Sequence, residues 1–299
     1  MSFSATEAAF EGFRVVRRHP MTVLFWGLAY LVLFLCTFGL GGGQLAAIMA
    51  SAEALEQSSN PSPEDLMALG QAYGGLFVWL APLGLVIGAV ISTAVARSVL
   101  RPEEKAWGYV RLGMDEVRVL AVTLVVALII GLFCGLLFGC VGLAVGIGAA
   151  SGQALMFLLA LILMLAAIVL IVWLSVKLSL ATPITVDRRK ISLIESFAAT
   201  KGHFWPLLGM ALLAIVMSFV VSILGTIISA GTDLATGGLN GMSRFAGLGM
   251  IDVLARAWPV ILVSSLVNAV LSALQAAVLY APFSAAWQAL RINRIGESA

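Results

Sequence analysis

Charge is what this chain has least of. Only 11% of its 299 residues are Asp, Glu, Lys or Arg, against about a quarter in soluble domains. A soluble protein that is also 61% hydrophobic could not cover its surface, whereas side chains facing lipid need no polar cover. Cysteine is scarce too: Cys36, Cys134 and Cys140 all lie in apolar stretches without metal-site spacing, which reads as small apolar packing residues. Histidine is limited to His19 and His203. There is no nucleotide loop, zinc-type spacing, nucleophile motif or paired-carboxylate cluster. No catalytic, cofactor-binding or metal-binding residue can therefore be named, and nothing suggests a nucleic-acid partner. An intramembrane protease would need Asp or Ser–His pairs within spans, and none is present. The apolar stretches hold no acidic residue at all, which counts against proton- or cation-coupled transport.

What the chain has in abundance is long apolar runs. Met21–Leu40, Gly75–Ala96, Val119–Ala150, Leu155–Thr182, Leu207–Ala230 and Pro259–Ala281 each reach the roughly 20 residues that cross about 30 Å of hydrocarbon as a helix. The third and fourth exceed that length and should tilt or extend beyond the core. A short polar hinge, Ala150-Ser151-Gly152-Gln153, joins them. The expected fold is all-α: one polytopic membrane domain, 1–299, with six transmembrane helices.

The few cations are sorted by side. Arg14, Arg17 and Arg18 precede the first span, and Arg97, Arg101, Lys105, Arg111 and Arg118 fall between the second and third. Lys177, Arg188, Arg189, Lys190 and Lys201 fall around the fourth-to-fifth connection, and Arg291 and Arg294 in the tail. Fifteen of seventeen thus share one side, with only Arg244 and Arg256 opposite. The positive-inside rule then predicts a multi-pass membrane protein with both termini cytoplasmic. Ser4-Ala5-Thr6-Glu7 resembles a capping box rather than part of a signal peptide, so the first span is expected to be retained. On the outer side, Ser62-Pro63-Glu64-Asp65 has the cap, proline and acids of a helix start. Gly41-Gly42-Gly43 predicts a helix end or kink. The glycine-rich stretch from Gly231 to Arg256 predicts an irregular segment or a short surface helix.

Each inner connection reads as an amphipathic helix feeding an outward span. Ala9, Phe10, Phe13 and Val16 share one face of the first. Arg101-Pro102-Glu103-Glu104 begins the second, which presents Trp107, Tyr109 and Leu112. Ser192 and Glu195 form a capping-box pattern at the start of the third. Glu11-Gly12-Phe13, Trp107-Gly108-Tyr109 and Glu195-Ser196-Phe197 superpose without gaps. These features predict three repeats, 1–96, 97–182 and 183–291.

Two roles fit the basic segments: interfacial anchoring alone, or recognition of anionic headgroups, each cation adding about 1 kcal/mol near an anionic leaflet. The candidate contacts are Arg14, Arg17, Arg18, Arg111, Arg118, Lys177, Arg188, Arg189 and Lys201. Lys177, the one charge within a span, can snorkel to the interface. Asn268 and Gln275, seven apart on one face, either bond a neighbouring helix or line a polar path. Gly131, Gly135, Gly139, Gly142 and Gly146 have the spacing that lets helix backbones approach in lipid, within the chain, across a dimer, or along a substrate path. His19 and His203 fit interfacial caps, headgroup ligands or pH sensors.

A resemblance enters at the third connection. Thr182-Pro183-Ile184-Thr185-Val186, then Ile194-Glu195-Ser196-Phe197-Ala198-Ala199-Thr200-Lys201-Gly202-His203-Phe204-Trp205, is similar to a bacterial membrane family named after the membrane domain of glycerophosphoryl diester phosphodiesterase. The resemblance implies a multispan helical fold and proximity to lipid metabolism. It does not imply the reaction, because the soluble catalytic barrel of the fused enzymes has no counterpart in this chain. The expected function is a non-enzymatic inner-membrane protein that binds, organises or moves lipid or supports a membrane partner. The alternative is a transporter or channel with a path between repeats. Expected partners are membrane lipids, with a second copy or another membrane protein as further possibilities.

Overall fold

The computed structural model describes residues 4–57, 62–104, 106–236 and 250–297, and every regular element among them is helical. Two short helices, α1 (Ala5–Ala9) and α2 (Glu11–Arg18), lead into α3 (Pro20–Gln57). Next come α4 (Pro63–Leu100), a tight turn over Ala106–Tyr109, and the hairpin of α5 (Met114–Ser151) and α6 (Ala154–Leu178). The chain continues through α7 (Ala181–Arg188), α8 (Leu193–Ala199), α9 (Phe204–Thr236) and α10 (Met250–Glu297). Six stretches, in α3, α4, α5, α6 (running into α7), α9 and α10, are long and apolar enough to cross a bilayer. The chain is an all-α, multi-pass integral membrane protein.

Several helix ends follow the sequence. The Ser62 hydroxyl accepts from the Asp65 amide and the Asp65 carboxylate accepts from the Ser62 amide at 3.0 Å, with Pro63 in the first turn. The hydrogen bonds from Ser62, its side chain first and its amide second, hold the Asp65 carboxyl below the usual carboxylate range. Ser4 accepts from the Glu7 amide at 3.3 Å. Gly152, at φ +67°, ends α5 in the left-handed conformation, and extended Gln153 starts α6, so the polar hinge forms as expected.

Others do not. Helix α3 runs straight through Gly41-Gly42-Gly43. In hydrocarbon a broken helix would strand backbone groups that glycine's flexibility cannot satisfy. Ser192 makes no cap: its hydroxyl donates to Lys190 O, and Glu195 pairs with Arg188 instead. The stretch after Arg101 is not an amphipathic helix. It turns at Arg101–Glu104 and then passes through three successive left-handed residues, Trp107 (φ 52°), Gly108 (φ 65°) and Tyr109 (φ 65°). The middle connection therefore lacks the helix that the first and third possess. The predicted glycine-rich outer segment falls largely on 237–249, outside the described residues.

The packed core sits toward one end of the bundle, where the short helices gather; we term this end the crown. One cluster joins Val15 of α2, Val23 and Trp26 of α3, Ile91 and Val95 of α4, and Tyr109 to Ala273, Ala277 and Ala281 of α10. A second joins Ala9 of α1, Leu180, Ile184 of α7, and Leu207 and Met210 of α9 to Ala286 and Trp287 of α10. A third, smaller one joins Ala89 and Ala96 of α4 to Val119 of α5 and Val186 of α7. Helix α10 is the common partner, in contact with α1, α2, α3, α4, α7 and α9. Its row of buried alanines suits lipid, where helices associate through close backbone approach rather than hydrophobic expulsion from water.

The end of the α5–α6 hairpin far from the crown stands apart from this core. None of α5 from 123 to 143 is buried. Gly131, Gly135, Gly139, Gly142 and Gly146 are exposed, and a Cβ added at any of them would meet open space. These glycines therefore pack against no neighbour among the described residues. The spacing is right, but the stripe faces away from α4 and α6. The tight glycine in this hairpin is Gly148, where a Cβ would lie 3.0 Å from Met156 Cβ.

Candidate functional site

The crown is organised around Arg97, near the end of α4. Its guanidinium is buried, 2% exposed, yet surrounded by oxygen. Nη1 donates to the Tyr109 carbonyl at 2.6 Å and Nη2 to Glu116 Oε1 at 2.8 Å. Nε lies 3.5 Å from Glu104 Oε2, in ion-pair range but without hydrogen-bond geometry. One turn later Arg101 reaches Asp115 Oδ2 at 3.3 Å and donates to the Val186 and Asp187 carbonyls of α7. Arg118 holds Asp115 at 2.8 Å, while Arg111 and Arg189 reach Glu104 at 3.3 and 3.5 Å. Glu116 also accepts from the Gly113 amide at 3.0 Å, capping α5.

Three carboxylates, Glu104, Asp115 and Glu116, are thus shared by five arginines from α4, the loop after it, α5 and the end of α7. The arrangement ties three spans together at one end. Buried charges persist only when paired and hydrogen-bonded, and these are. A cleft of about 370 Å³ opens beside the network, lined by Arg111, Arg118, Arg189 and the three acids among others. Four arginines face three acids in its lining, and the ion pairs among them make it better suited to holding helices than to gripping a ligand.

A second tie fixes α10. Asp187 of α7 accepts from Trp287 Nε1 at 3.0 Å and pairs with Arg291, both on α10. Arg188 stacks over the Trp287 ring with its guanidinium carbon 5.9 Å from the centroid.

The left-handed turn is held from two sides. Trp26 Nε1 donates to Gly108 O at 2.9 Å, and Arg97 clamps the Tyr109 carbonyl. Tyr109 itself is buried, its hydroxyl donating to Pro102 O at 3.2 Å, and its ring meets His19 edge-on at 6.1 Å. Gly108 is required twice over: its φ is left-handed, and a Cβ would lie 2.9 Å from Phe25 Cβ. Between this turn and the start of α3 lies a notch of about 300 Å³, lined by Arg18, His19, Thr22, Phe25 and Trp107 with their neighbours.

The sequence-derived candidates divide accordingly. Arg14 and Arg18 share Glu11, at 3.1 and 3.9 Å, and Arg188 pairs with Glu195 at 3.1 Å. With Arg111, Arg118 and Arg189, six of the nine proposed lipid contacts already have carboxylate partners. Arg17 and Lys201 are exposed, Lys177 is half-buried, and none of these three has an acidic partner among the described residues. His203 sits beside the Lys201 carbonyl, its Nδ1 at 3.3 Å, before the start of α9. Asn268 is exposed and donates to Ser264 O of its own helix at 2.8 Å, and Gln275 is half-buried.

Counting cations alone missed the network, because Glu103, Glu104, Asp115, Glu116, Asp187 and Glu195 lie in the same connections. The signal was the six acids interspersed among the ten cations of those two connections. The buried Trp26 and Trp287 gave no signal beyond being aromatic. Comparison of the chain with protein-family models, curated proteins and solved structures found no match.

Proposed function

We propose that the crown faces the cytoplasm and that this is a non-enzymatic, lipid-associated protein of a bacterial inner membrane. It would bind or organise lipid of the cytoplasmic leaflet, or support a membrane partner there. One observation carries the reading. Around the crown, exposed apolar and aromatic side chains alternate with cations that have no acidic partner among the described residues. Phe10 and Phe13 flank α2 with Arg17; Ile191 and Ile194 accompany Lys190; Trp205 follows Lys201. Aromatic residues at headgroup level and cations above them are what an anionic leaflet attracts. A lipid-linked placement is also what the sequence resemblance of the third connection implies.

Arg17, Lys190 and Lys201 have no acidic partner among the described residues, so that set is what to neutralise. Converting Arg17, Lys190 and Lys201 together to glutamine is expected to lower the anionic-to-zwitterionic ratio of co-purified lipid by up to about a hundredfold, at about 1 kcal/mol per cation and about 1.4 kcal/mol per tenfold. Lipid extraction and mass spectrometry after purification in mild detergent read this ratio. An unchanged ratio would count against the proposal.

A further inference from the structure

The notch between α2, α3 and the left-handed turn has a composition that the crown's other cleft lacks. Its rim is polar and cationic: Arg18, His19 and the hydroxyl-bearing Thr22. Its walls are apolar: Met21, Phe25 and Trp107. No carboxylate lines it. Arg18 has only a long contact with Glu11, 3.9 Å, and points its remaining donors elsewhere than a close acid. Thr22 is only 6% exposed, and among the described residues its hydroxyl has no hydrogen-bond partner. As a lining residue, Thr22 offers that hydroxyl to whatever occupies the notch.

The turn that forms the far wall is built at a cost. Bulky residues at positive φ are strained by about 1–3 kcal/mol each, and here Trp107 and Tyr109 both adopt it. Tyr109 repays this by burial, but Trp107 does not: it remains 75% exposed, in edge-on contact with Phe25 at 6.2 Å. The fold thus holds a tryptophan out over the notch. The notch also lies where span one begins, at Pro20, so its apolar walls lead toward hydrocarbon while its cations stay at the surface.

We infer that this notch is a binding site for the phosphate-bearing headgroup of an anionic phospholipid. Arg18, His19 and Thr22 hold the phosphate, and Met21, Phe25 and Trp107 flank the glycerol and upper acyl chain. An acidic peptide would match the cations but not a floor that opens into the membrane. The inference rests on the lipid-linked reading above and gives it a specific site.

Native mass spectrometry of the purified, delipidated full-length protein, titrated with phosphatidylglycerol, tests it. The wild type is expected to retain one tightly held phosphatidylglycerol. Losing a charge-assisted hydrogen bond in Arg18→Gln should weaken that adduct roughly tenfold. Thr22→Val and Trp107→Ala should weaken it severalfold. Lys190→Gln removes the same charge away from the notch and should leave the adduct unchanged. Inorganic phosphate at millimolar concentration should not displace the lipid. Equal weakening by Arg18→Gln and Lys190→Gln, or full retention in all three notch variants, would overturn the site while leaving general lipid association intact. Displacement by inorganic phosphate would overturn the lipid as occupant. A wild type with no preference for phosphatidylglycerol over phosphatidylcholine would overturn both the site and the broader reading.

Discussion

Replacing Arg97 by alanine is expected to lower the melting temperature of the purified protein by on the order of 10 °C, the largest effect of any single substitution in the crown. The guanidinium is 2% exposed and serves Tyr109 O, Glu116 and Glu104. Removing it leaves a buried carboxylate, Glu116, without its counter-charge, and a strained turn without its clamp. Breaking a buried pair from one side costs about 3–5 kcal/mol, far more than an exposed pair is worth. The contrast is Arg188→Ala, which loses an exposed pair with Glu195, 44% exposed, and its stack on the Trp287 ring; a loss of only about 1 kcal/mol is expected. A double variant, Arg97→Met with Glu116→Leu, should recover part of the loss, since replacing both charges removes the unpaired one. Thermal unfolding in detergent followed by tryptophan fluorescence checks all three. A melting temperature for Arg97→Ala within 2 °C of wild type would contradict this account of the crown, 2 °C being about the shift for 1 kcal/mol.

Gly12→Val should be the second most damaging change. Helix α2 crosses α10 there in backbone contact: an added Cβ would lie 2.5 Å from Val278 Cα and 2.6 Å from Ala277 O. Neither atom belongs to a flexible side chain, so the helices must separate. Overpacking of this kind costs about 1–3 kcal/mol and sometimes more. Separation would also draw Val15 out of the cluster it shares with Ala277 and Ala281. Gly135→Ala is the matched control. Its Cβ enters open space, and alanine is the better helix former, so the melting temperature should hold or rise slightly. If Gly12→Val melts like wild type while Gly135→Ala is destabilised, the assignment of close and open glycines is reversed.

That pair of glycines marks where the sequence could be read and where it could not. Five glycines at intervals of three and four in the third span look like a packing stripe, because spacing is visible in one dimension. Whether a neighbour lies on that face is not. Gly12, alone among Glu11, Phe13 and Arg14, carries no periodic signal and makes the closest helix contact. The spans themselves were legible because hydrocarbon sets their length. The Ser62-Pro63-Glu64-Asp65 start and the Ser151-Gly152-Gln153 hinge were legible because caps are local chemistry. The connection after α4 was misread for a non-local reason. Arg101-Pro102-Glu103-Glu104 has the local marks of a helix start, but Trp26, 82 residues from Gly108 in sequence, grips the turn that forms instead. Arg97 then holds the next carbonyl. The cation count pointed to the end of the molecule where the packed core and the ion pairs gather. It overstated what those cations are free to do, because six of nine candidates spend their charge on carboxylates within the crown.

The central claim is that the arginine-rich crown, with its notch and its unpaired cations, lies on the cytoplasmic side of a six-span protein. Side-specific cysteine labelling tests this most directly. In a background with Cys36, Cys134 and Cys140 replaced by alanine, single cysteines are placed at Glu64, exposed at the start of α4, and at Lys190, exposed between α7 and α8. A membrane-impermeant maleimide applied to intact spheroplasts should label Glu64→Cys at once and Lys190→Cys only after permeabilisation. Labelling of Lys190→Cys from outside, or of both positions from one side, would contradict the account.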